Sequence, residues 1–455
     1  MTRADTSPAG QASGAYRAWV LGLLLLIYMS NFIDRTIVSV LQQPIKAELG
    51  LADWQLGMLG GTSFAVFYTL LGLPIARLAD RRNRTPIIVV AVTVWSVMTG
   101  LCGLAQTYAQ LFLARVGVGV GEAGGAPPAH SLIADYFPPE RRATALAIYS
   151  LGLPLGALVG GVGAGLIAQH HGWRAAFIAA AIPGVVLAVL AQFTLREPVR
   201  GGLDGASDTA AAPTLMDMAR FMLAKPSLVH IVAGSTVAAF AGYGIGGFNG
   251  AYFMRQFALT VGQAGILVGL IGGLSAMLGT VLGGTLSDRA GKSDPRWRFW
   301  TPAIGLALAA PLYAAAYLGS TAKIAACLLI LPAVLHYLYL GPTYGVLQNM
   351  APPRGRATAL ALLSLVVNLV GLGLGPLAVG ALSDLLAARA FGPTDMAALC
   401  RPPALAAHGA ACAAASASGL RGAILITTAL FLWAAAHYGL AARHLRKDLA
   451  AGGST

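Results

Sequence analysis

Long apolar stretches alternate with short polar ones along the whole chain, and the stretches are too long to be core helices of a soluble domain. Each is near the roughly 20 residues a helix needs to cross about 30 Å of hydrocarbon. Twelve are read, at about 18–41, 54–78, 86–104, 108–136, 142–168, 174–195, 227–254, 262–286, 299–318, 324–350, 357–384 and 420–442. They are rich in Gly, Ala, Leu and Val, which suits close packing of helices in lipid. An outer-membrane barrel calls for alternating segments of about ten residues, a pattern this chain does not follow. No cleavage-site pattern precedes the first stretch, which holds Asp34 and Arg35, so it reads as a retained first helix rather than a signal peptide.

Composition supports a membrane chain: 57% of the 455 residues are hydrophobic and 10% are charged, against about a quarter charged in soluble domains. The formal charge of +13 raises the question of a nucleic-acid partner. Sorting the 30 Lys and Arg by segment answers it. With the N-terminus in the cytoplasm, 21 fall in cytoplasmic segments and seven outside (Lys46, Arg174, Arg255, Lys323, Arg389, Arg401 and Arg421); Arg35 and Arg115 lie within spans. That split follows the positive-inside rule and predicts a multi-pass protein of the inner (plasma) membrane with both termini cytoplasmic. The basic excess is topology, and no nucleic-acid partner is expected.

A polar segment at about 196–226, containing G-G-L-D-G-A-S-D, reads as a cytoplasmic linker. The sequence repeats itself on either side of it. R-A-T-A-L-A occurs at Arg142–Ala147 and again at Arg356–Ala361, each time just after a Pro-Pro pair. A-R-L-A-D-R-R-N-R around Asp80 is answered by G-T-L-S-D-R-A-G-K around Asp288. Such repetition is the mark of a rocking transporter with its site between the halves. The expected architecture is all-α: a six-helix bundle at 1–195, the linker, and a pseudo-symmetric six-helix bundle at 227–455 with a long outer loop at about 385–419.

Twelve spans, a central linker and a D-R motif after spans two and eight together resemble the major facilitator superfamily. The resemblance implies a cytoplasmic gate in which the Asp caps a neighbouring helix and the Arg pairs across the interface. By position these are Asp80 and Arg81, with Asp288 and Arg289 in the second half. Ala76 stands where that motif usually has Gly. Arg82 and Arg84 read as ordinary positive-inside loop charges.

Four ionisable residues lie deep in the spans: Asp34 and Arg35 in the first, Arg115 and Glu122 in the fourth. Burying a charge costs at least about 2.5–3.5 kcal/mol, so such residues face a cavity or a partner. Arg115 and Glu122 are seven residues apart, hence two turns along one face and about 10 Å apart. Arg35 and Arg115 lie at similar distances from the outer ends of their spans. A carboxylate caught between desolvation and neighbouring arginines can take up and release a proton as its cavity opens alternately. Glu122 is the candidate, with Asp34 as a second site or as the partner of Arg35. The guanidinium groups of Arg35 and Arg115 match a phosphate or carboxylate head. The competing reading is a static ion-pair network locking spans one and four, but the Gly-rich run R-V-G-V-G-V-G-E-A-G-G offers backbone room. Its G-x-G-x-x-G at Gly119, Gly121 and Gly124 lies within a span and follows no strand, so it fails as a dinucleotide motif. No Walker or H-E-x-x-H motif is present. The chain reads as a transporter driven by a proton gradient, with no nucleotide, metal or cofactor, and not as an enzyme.

N-F-I-D-R-T in span one, R-V-G-V-G-V-G-E-A-G in span four and S-L-I-A-D-Y-F after it resemble the Spinster lipid-transporter group, with bacterial members known. That resemblance implies transport of sphingosine-1-phosphate or lysophospholipids, with Asp34, Arg35, Arg115 and Glu122 as the coupling and head-group site. Proton-coupled sugar-acid and organic-anion symporters carry a similar arrangement, and a multidrug exporter is a third alternative. The second half holds no deep charge; Arg255, Lys323 and Asp384 fall near span ends. It offers aromatics instead, among them Tyr243, Phe248, Tyr337 and Tyr344 as a cavity wall for a hydrophobic tail. A charged wall opposite a greasy one suits an anionic amphiphile carried by a monomer in the bilayer. Cys102 and Cys327 read as inert small hydrophobes. Cys400 and Cys412 share the outer loop, where an oxidising periplasm permits a disulfide.

Overall fold

In the computed structural model, residues 13–200, 214–352, 355–393, 396–400 and 405–450 are described. The linker motif at 201–208 lies outside them, as does the side chain of Asp80. The first half comprises α1 (Gly14–Leu49), α2 (Asp53–Gly57), α3 (Ser63–Arg81), α4 (Arg84–Cys102), α5 (Tyr108–Glu122), α6 (Ala126–Tyr136), α7 (Pro139–Ser150) and α8 (Gly152–Thr194). After α9 (Leu215–Leu223) the second half follows with α10 (Pro226–Phe257), α11 (Val261–Gly291), α12 (Trp297–Tyr317), α13 (Ala322–Tyr337), α14 (Leu340–Met350), α15 (Arg356–Val366), α16 (Gly373–Phe391), α17 (Met396–Leu399), α18 (Leu405–Thr428) and α19 (Leu430–Ala450).

Among the described residues, ten helical runs are long and apolar enough to cross a membrane. One of them, Glu140–Thr194, crosses twice, because it leaves helical geometry at Gly172. Its return limb runs back along α1. Trp173 Nε1 bonds Glu48 near one end of α1, and the Thr194 carbonyl accepts from Tyr16 near the other. The broken pair α5–α6 supplies a further crossing. The twelve expected spans are thus present in an all-α fold.

Two expectations about boundaries change. The first span is much longer than 18–41, because α1 runs as 36 residues from Gly14 to Leu49. The outer loop expected at 385–419 is largely helix: α16 reaches Phe391, α17 follows, and α18 begins at Leu405. The Ala-rich sequence from Leu405 onward has the strongest helix propensity of any residue type, which the loop reading of the segment overlooked. Cys400 and Cys412 are joined there by a disulfide with a Cα–Cα distance of 5.8 Å.

The halves meet through glycine. A Cβ on Gly161 of α8 would lie 2.7 Å from Gly269 Cα of α11, and one on Gly265 would lie 2.8 Å from Gly165 Cα. Gly161-x-x-x-Gly165 faces Gly265-x-x-x-Gly269, the small-residue spacing that lets membrane helices approach backbone to backbone. A second contact joins two π-helical turns, Met58–Thr62 in the second span and Val367–Leu372 in the eleventh. Thr62 Oγ1 donates to the Gly373 carbonyl at 2.6 Å across this seam.

At the end opposite most of the arginines, called the outer end below, a polar latch ties the halves together. Asp53, 1% exposed, accepts from Lys46 Nζ at 2.5 Å, from Arg255 Nη1 and Nη2 at 2.6 and 2.7 Å, and from Ser383 Oγ at 2.7 Å. Arg255 Nε also donates to Gln43 Oε1 at 2.7 Å. The Asp384 carboxylate accepts the backbone N–H groups of Asp53 and Trp54 at 3.0 and 2.9 Å. These N–H groups open a helix and have no partner within it. Lys46, Arg255 and Asp384, read from the sequence as outer-end charges, are therefore parts of one largely buried cluster.

The basic, inner end is organised differently. There α6 and α7 pack against α1, α3, α4 and α8, while α14 packs against α10, α11, α12 and α15, each within its own half. The main crossing is α3 against α15 and the π-turn before α16. The helices of the two halves are closed together at the outer end and spread at the inner.

Gly161→Val forces α8 away from α11 and is expected to destabilise the fold by about 1–3 kcal/mol, as core overpacking does; a thermal unfolding midpoint unchanged from the parent contradicts this packing. Arg255→Met leaves Asp53 buried without its main cation. Breaking such a pair costs about 3–5 kcal/mol, so the outer end is expected to open. A Ser39→Cys reporter then becomes reactive to an impermeant thiol reagent added at the outer side; unchanged labelling contradicts the latch.

Candidate functional site

The sequence G-E-A-G-G-A-P-P breaks the fourth span immediately after Glu122, since two prolines cannot continue its hydrogen-bond ladder. The preceding glycines do not leave open room, contrary to the sequence reading. A Cβ on Gly119 would lie 2.7 Å from the Phe64 carbonyl oxygen, and one on Gly121 would lie 2.6 Å from Trp95 N. The glycines let α5 press directly on α3 and α4, and this fixes where Arg115 and Glu122 project.

Those two residues and the charges of α1 converge. Arg35 Nε donates to Glu122 Oε2 at 2.8 Å; the Glu122 side chain is 0% exposed and that of Arg35 20%. Arg115 is buried, and its Nη1 donates to the Asp34 backbone carbonyl at 3.2 Å. Asp34 is buried as well, within electrostatic reach of Glu122, Arg115 and Arg35. The pairing expected between Asp34 and Arg35 is replaced by Arg35 with Glu122, because adjacent residues of a helix do not face each other. Arg115 is turned inward, onto the backbone of α1, so Arg35 is the guanidinium that reaches open space.

Arg35 also sits in an aromatic cage that sequence reasoning missed. Its guanidinium carbon is 4.9, 4.6 and 4.8 Å from the ring centres of Phe32, Phe64 and Tyr68. Such contacts each contribute about 0.5–2 kcal/mol, more when water is excluded. Beside it lies a cleft lined by Tyr28, Asn31, Arg35, Tyr68, Trp95, Glu122 and Tyr149 among others. Tyr28 stacks on Tyr149 at 4.5 Å. The spacing of Phe32 to Arg35 and of Phe64 to Tyr68, one helical turn each, was the only sequence signal for this cage.

The second half faces this cleft with tyrosines. Tyr243 and Tyr344 are 42% and 41% exposed and interact with Tyr28 across the central space, and Tyr243 with Arg35. Tyr337 is half-buried beside them and packs on Gly279 of α11. Phe248 does not belong to the wall: it is buried, 0% exposed. The greasy surface expected opposite the charges is thus phenolic, and the charged half is aromatic too.

The motif residues Arg81, Asp288 and Arg289 lie exposed at the inner end, with no side-chain hydrogen bond or ion pair seen to them among the described residues. Arg84, read as a loop charge, is 0% exposed. It pairs with Asp135 at the end of α6 and with Glu197 Oε1 at 2.7 Å after α8, and donates to Ser131 Oγ at 2.8 Å. Glu197 Oε2 in turn accepts the Arg84 and Thr85 backbone N–H groups at 2.8 and 3.0 Å. Arg84 therefore clasps the inner ends of three spans of the first half. Its partners lie 51 and 113 positions away, a separation that local reading does not bridge.

The model of the Major Facilitator Superfamily matches residues 24–376. Over 387 residues, 84% of this chain and 88% of the relative, the sequence is 36% identical to an MFS-type efflux pump of Mycolicibacterium smegmatis. It is 28% identical to protein spinster homolog 1 of Xenopus tropicalis, over 81% of this chain and 74% of that one. The fold is similar to two crystal structures of a bacterial homolog of the human lysosomal transporter Spinster, both 38% identical, each spanning 96% of this chain and 99% of the other. The TM-score is 0.83 for the inward-facing occupied form and 0.85 for the unoccupied one. With its duplicated six-helix halves and a charged cleft in the first of them, the chain is a Spinster-like multi-pass transporter, not an enzyme, and belongs to the Major Facilitator Superfamily.

Proposed function

We propose that the protein is a proton-coupled secondary transporter of anionic amphiphiles, with a lysophospholipid or sphingoid phosphate as the substrate class. It works as a monomer by alternating access in the inner membrane, with its basic end and both termini in the cytoplasm. The observation that carries this reading is the Arg35–Glu122 pair, held in an aromatic cleft of the first half that Tyr243 of the second half faces. Arg35 has one carboxylate partner and three aromatic neighbours, so an incoming phosphate competes with Glu122 for the same guanidinium. When the anion takes Arg35, Glu122 is left buried without its cation and is driven to bind a proton. Substrate and proton are thereby linked through one arginine. Asp34 supplies a second protonatable group in the same cluster.

The tyrosines of both halves suit the boundary between an ionic head and an apolar tail, since each ring presents an apolar body and a polar tip. In the arrangement seen here the inner end is spread, so the cleft is reached from the cytoplasm, and the latch at Asp53 closes the periplasmic side. Arg81, Asp288 and Arg289, apart in this arrangement, come together with Asp80 as a gate when the outer end opens. The similarity to a pump described as an efflux pump favours a second reading, export of amphiphilic drugs. Both readings use the same cleft and differ in what occupies it.

The test is uptake into proteoliposomes carrying an imposed pH gradient, with an anionic lysophospholipid as the probe and a cationic amphiphile and a small organic dianion as comparisons. Gradient-driven movement of the lysophospholipid is expected, with Glu122→Gln losing about tenfold or more in accumulation, equivalent to about 1.4 kcal/mol of coupling. Transport that ignores the gradient, or a Glu122→Gln protein that couples normally, contradicts the proposal; movement of the cationic amphiphile alone favours the drug-export reading. Arg35→Lys keeps the charge but loses the planar fork in its cage, and is expected to weaken lysophospholipid binding by about tenfold. Unchanged affinity in a direct binding measurement removes Arg35 from the head-group site.

A further inference from the structure

Behind the cleft, between α1, α4, α5 and the return limb of α8, lies a group of polar atoms that the protein leaves without hydrogen-bond partners. They are Ser30 Oγ, Ser96 Oγ and Arg115 Nε, together with the Asp34 carboxyl, which is bonded by a side chain only through the Thr99 hydroxyl. Every one of these residues is 2% exposed or less. Ser30 and Asp34 are one turn apart on α1, and Ser96 and Thr99 one turn apart on α4, so each pair shares a face. Thr99 is the hydroxyl that adjoins the Asp34 carboxyl. Gly184 of the return limb lets α8 pack directly onto this group: a Cβ there would press on Ser96 Oγ and lie 3.4 Å from Ser30 Oγ. At the near end, Asn31 Oδ1, Trp95 Nε1 and Glu122 Oε1 are also without partners, and all three residues line the cleft. Asp34 lies within electrostatic reach of Glu122, which lines the cleft, and this joins the group to the cleft.

Buried polar groups in native proteins are bonded either to protein or to ordered water. A polar, roomy site offering two to four partners is where such water is held. A cation is disfavoured here, because the Arg115 guanidinium already stands beside Asp34. We infer that this seam holds ordered water and is the path by which Asp34 exchanges protons with the cleft, with Ser96 and Thr99 as its positioning residues. The inference rests on the proton-coupling reading above. In each transfer, a hydronium ion arriving at the cleft end gives a proton into the chain and is left as water, every relay water or hydroxyl accepts one and passes one on, and the Asp34 carboxylate becomes a carboxylic acid. The relay groups end unchanged. The titratable groups facing Asp34 are Arg35 on its own helix, Cys102 on α4, and Arg115 and Glu122 on α5; the return limb of α8 brings Gly184.

The test is time-resolved infrared difference spectroscopy of the full-length protein in liposomes after a pH jump, reading the carboxylic C=O band that disappears in Asp34→Asn. Thr99→Val and Ser96→Ala are expected to keep the amplitude of this band while slowing its appearance by about tenfold, the cost of losing one hydrogen-bonded bridge. Thr99→Ser, which restores the hydroxyl, recovers the parental rate. Equal rates in Thr99→Val, Ser96→Ala and the parent overturn the path but leave proton coupling standing. Absence of any Asp34 band at every pH removes Asp34 from the coupling scheme and the path with it. A band that responds to exchange of sodium for choline overturns water in favour of a bound cation.

Discussion

Asp53 is where the two halves of the chain are tied, and the arrangement of the whole molecule depends on that tie. A carboxylate this deeply buried stays ionised only when cations and donors surround it, and here they come from both halves: Lys46 from α1, Arg255 from α10 and Ser383 from α16. The glycine crossing of α8 with α11 alone would hold the halves together but leave them free to rock. The Asp53 cluster selects one tilt, outer end shut and inner end spread. The cleft beside Arg35 opens inward for the same reason.

Within the first half, a second set of charges does a different task. Arg84 with Asp135 and Glu197 clasps the inner ends of three spans, so the bundle moves as a body. The Arg35–Glu122 pair sits between that clasp and the outer latch, at the level where tyrosines of both halves meet. One arginine shared between a buried carboxylate and an anionic ligand is a compact way to link binding with protonation, because desolvation penalises whichever charge is left alone. The second half contributes the opposing phenolic wall and, through Arg255, the cation that holds the outer end closed.

Much of this was legible in the chain. Span number and the division into halves follow from apolar length and from the repeated R-A-T-A-L-A and D-R motifs. That the charges of spans one and four gather follows from their depth and helical spacing, but the partner offered for Arg35 was Asp34 and the structure pairs it with Glu122. What escaped was every feature assembled from distant segments. The latch joins residues more than 300 positions apart, and Lys46, Arg255 and Asp384 taken singly look like outer-end charges. Arg84 looked like a topogenic charge because the carboxylates that bury it come from α6 and from beyond α8. Phe248 was placed on the cavity wall because aromatic content alone does not say which face of α10 a ring occupies. The outer segment before the last span was read as a loop, although its alanines favour a helix.

The central claim is that protonation at the Arg35–Glu122 cluster sets which end of the molecule is open. The most direct measurement is of distances between spin labels in liposomes, with one pair at Arg81 and Arg289 on the inner end and another at Gln106 and Lys323 on the outer. The account predicts that changing pH moves the two distance distributions in opposite directions, and that Glu122→Gln abolishes the response. Distributions that ignore pH in the parent protein, or that shift equally in Glu122→Gln, contradict it.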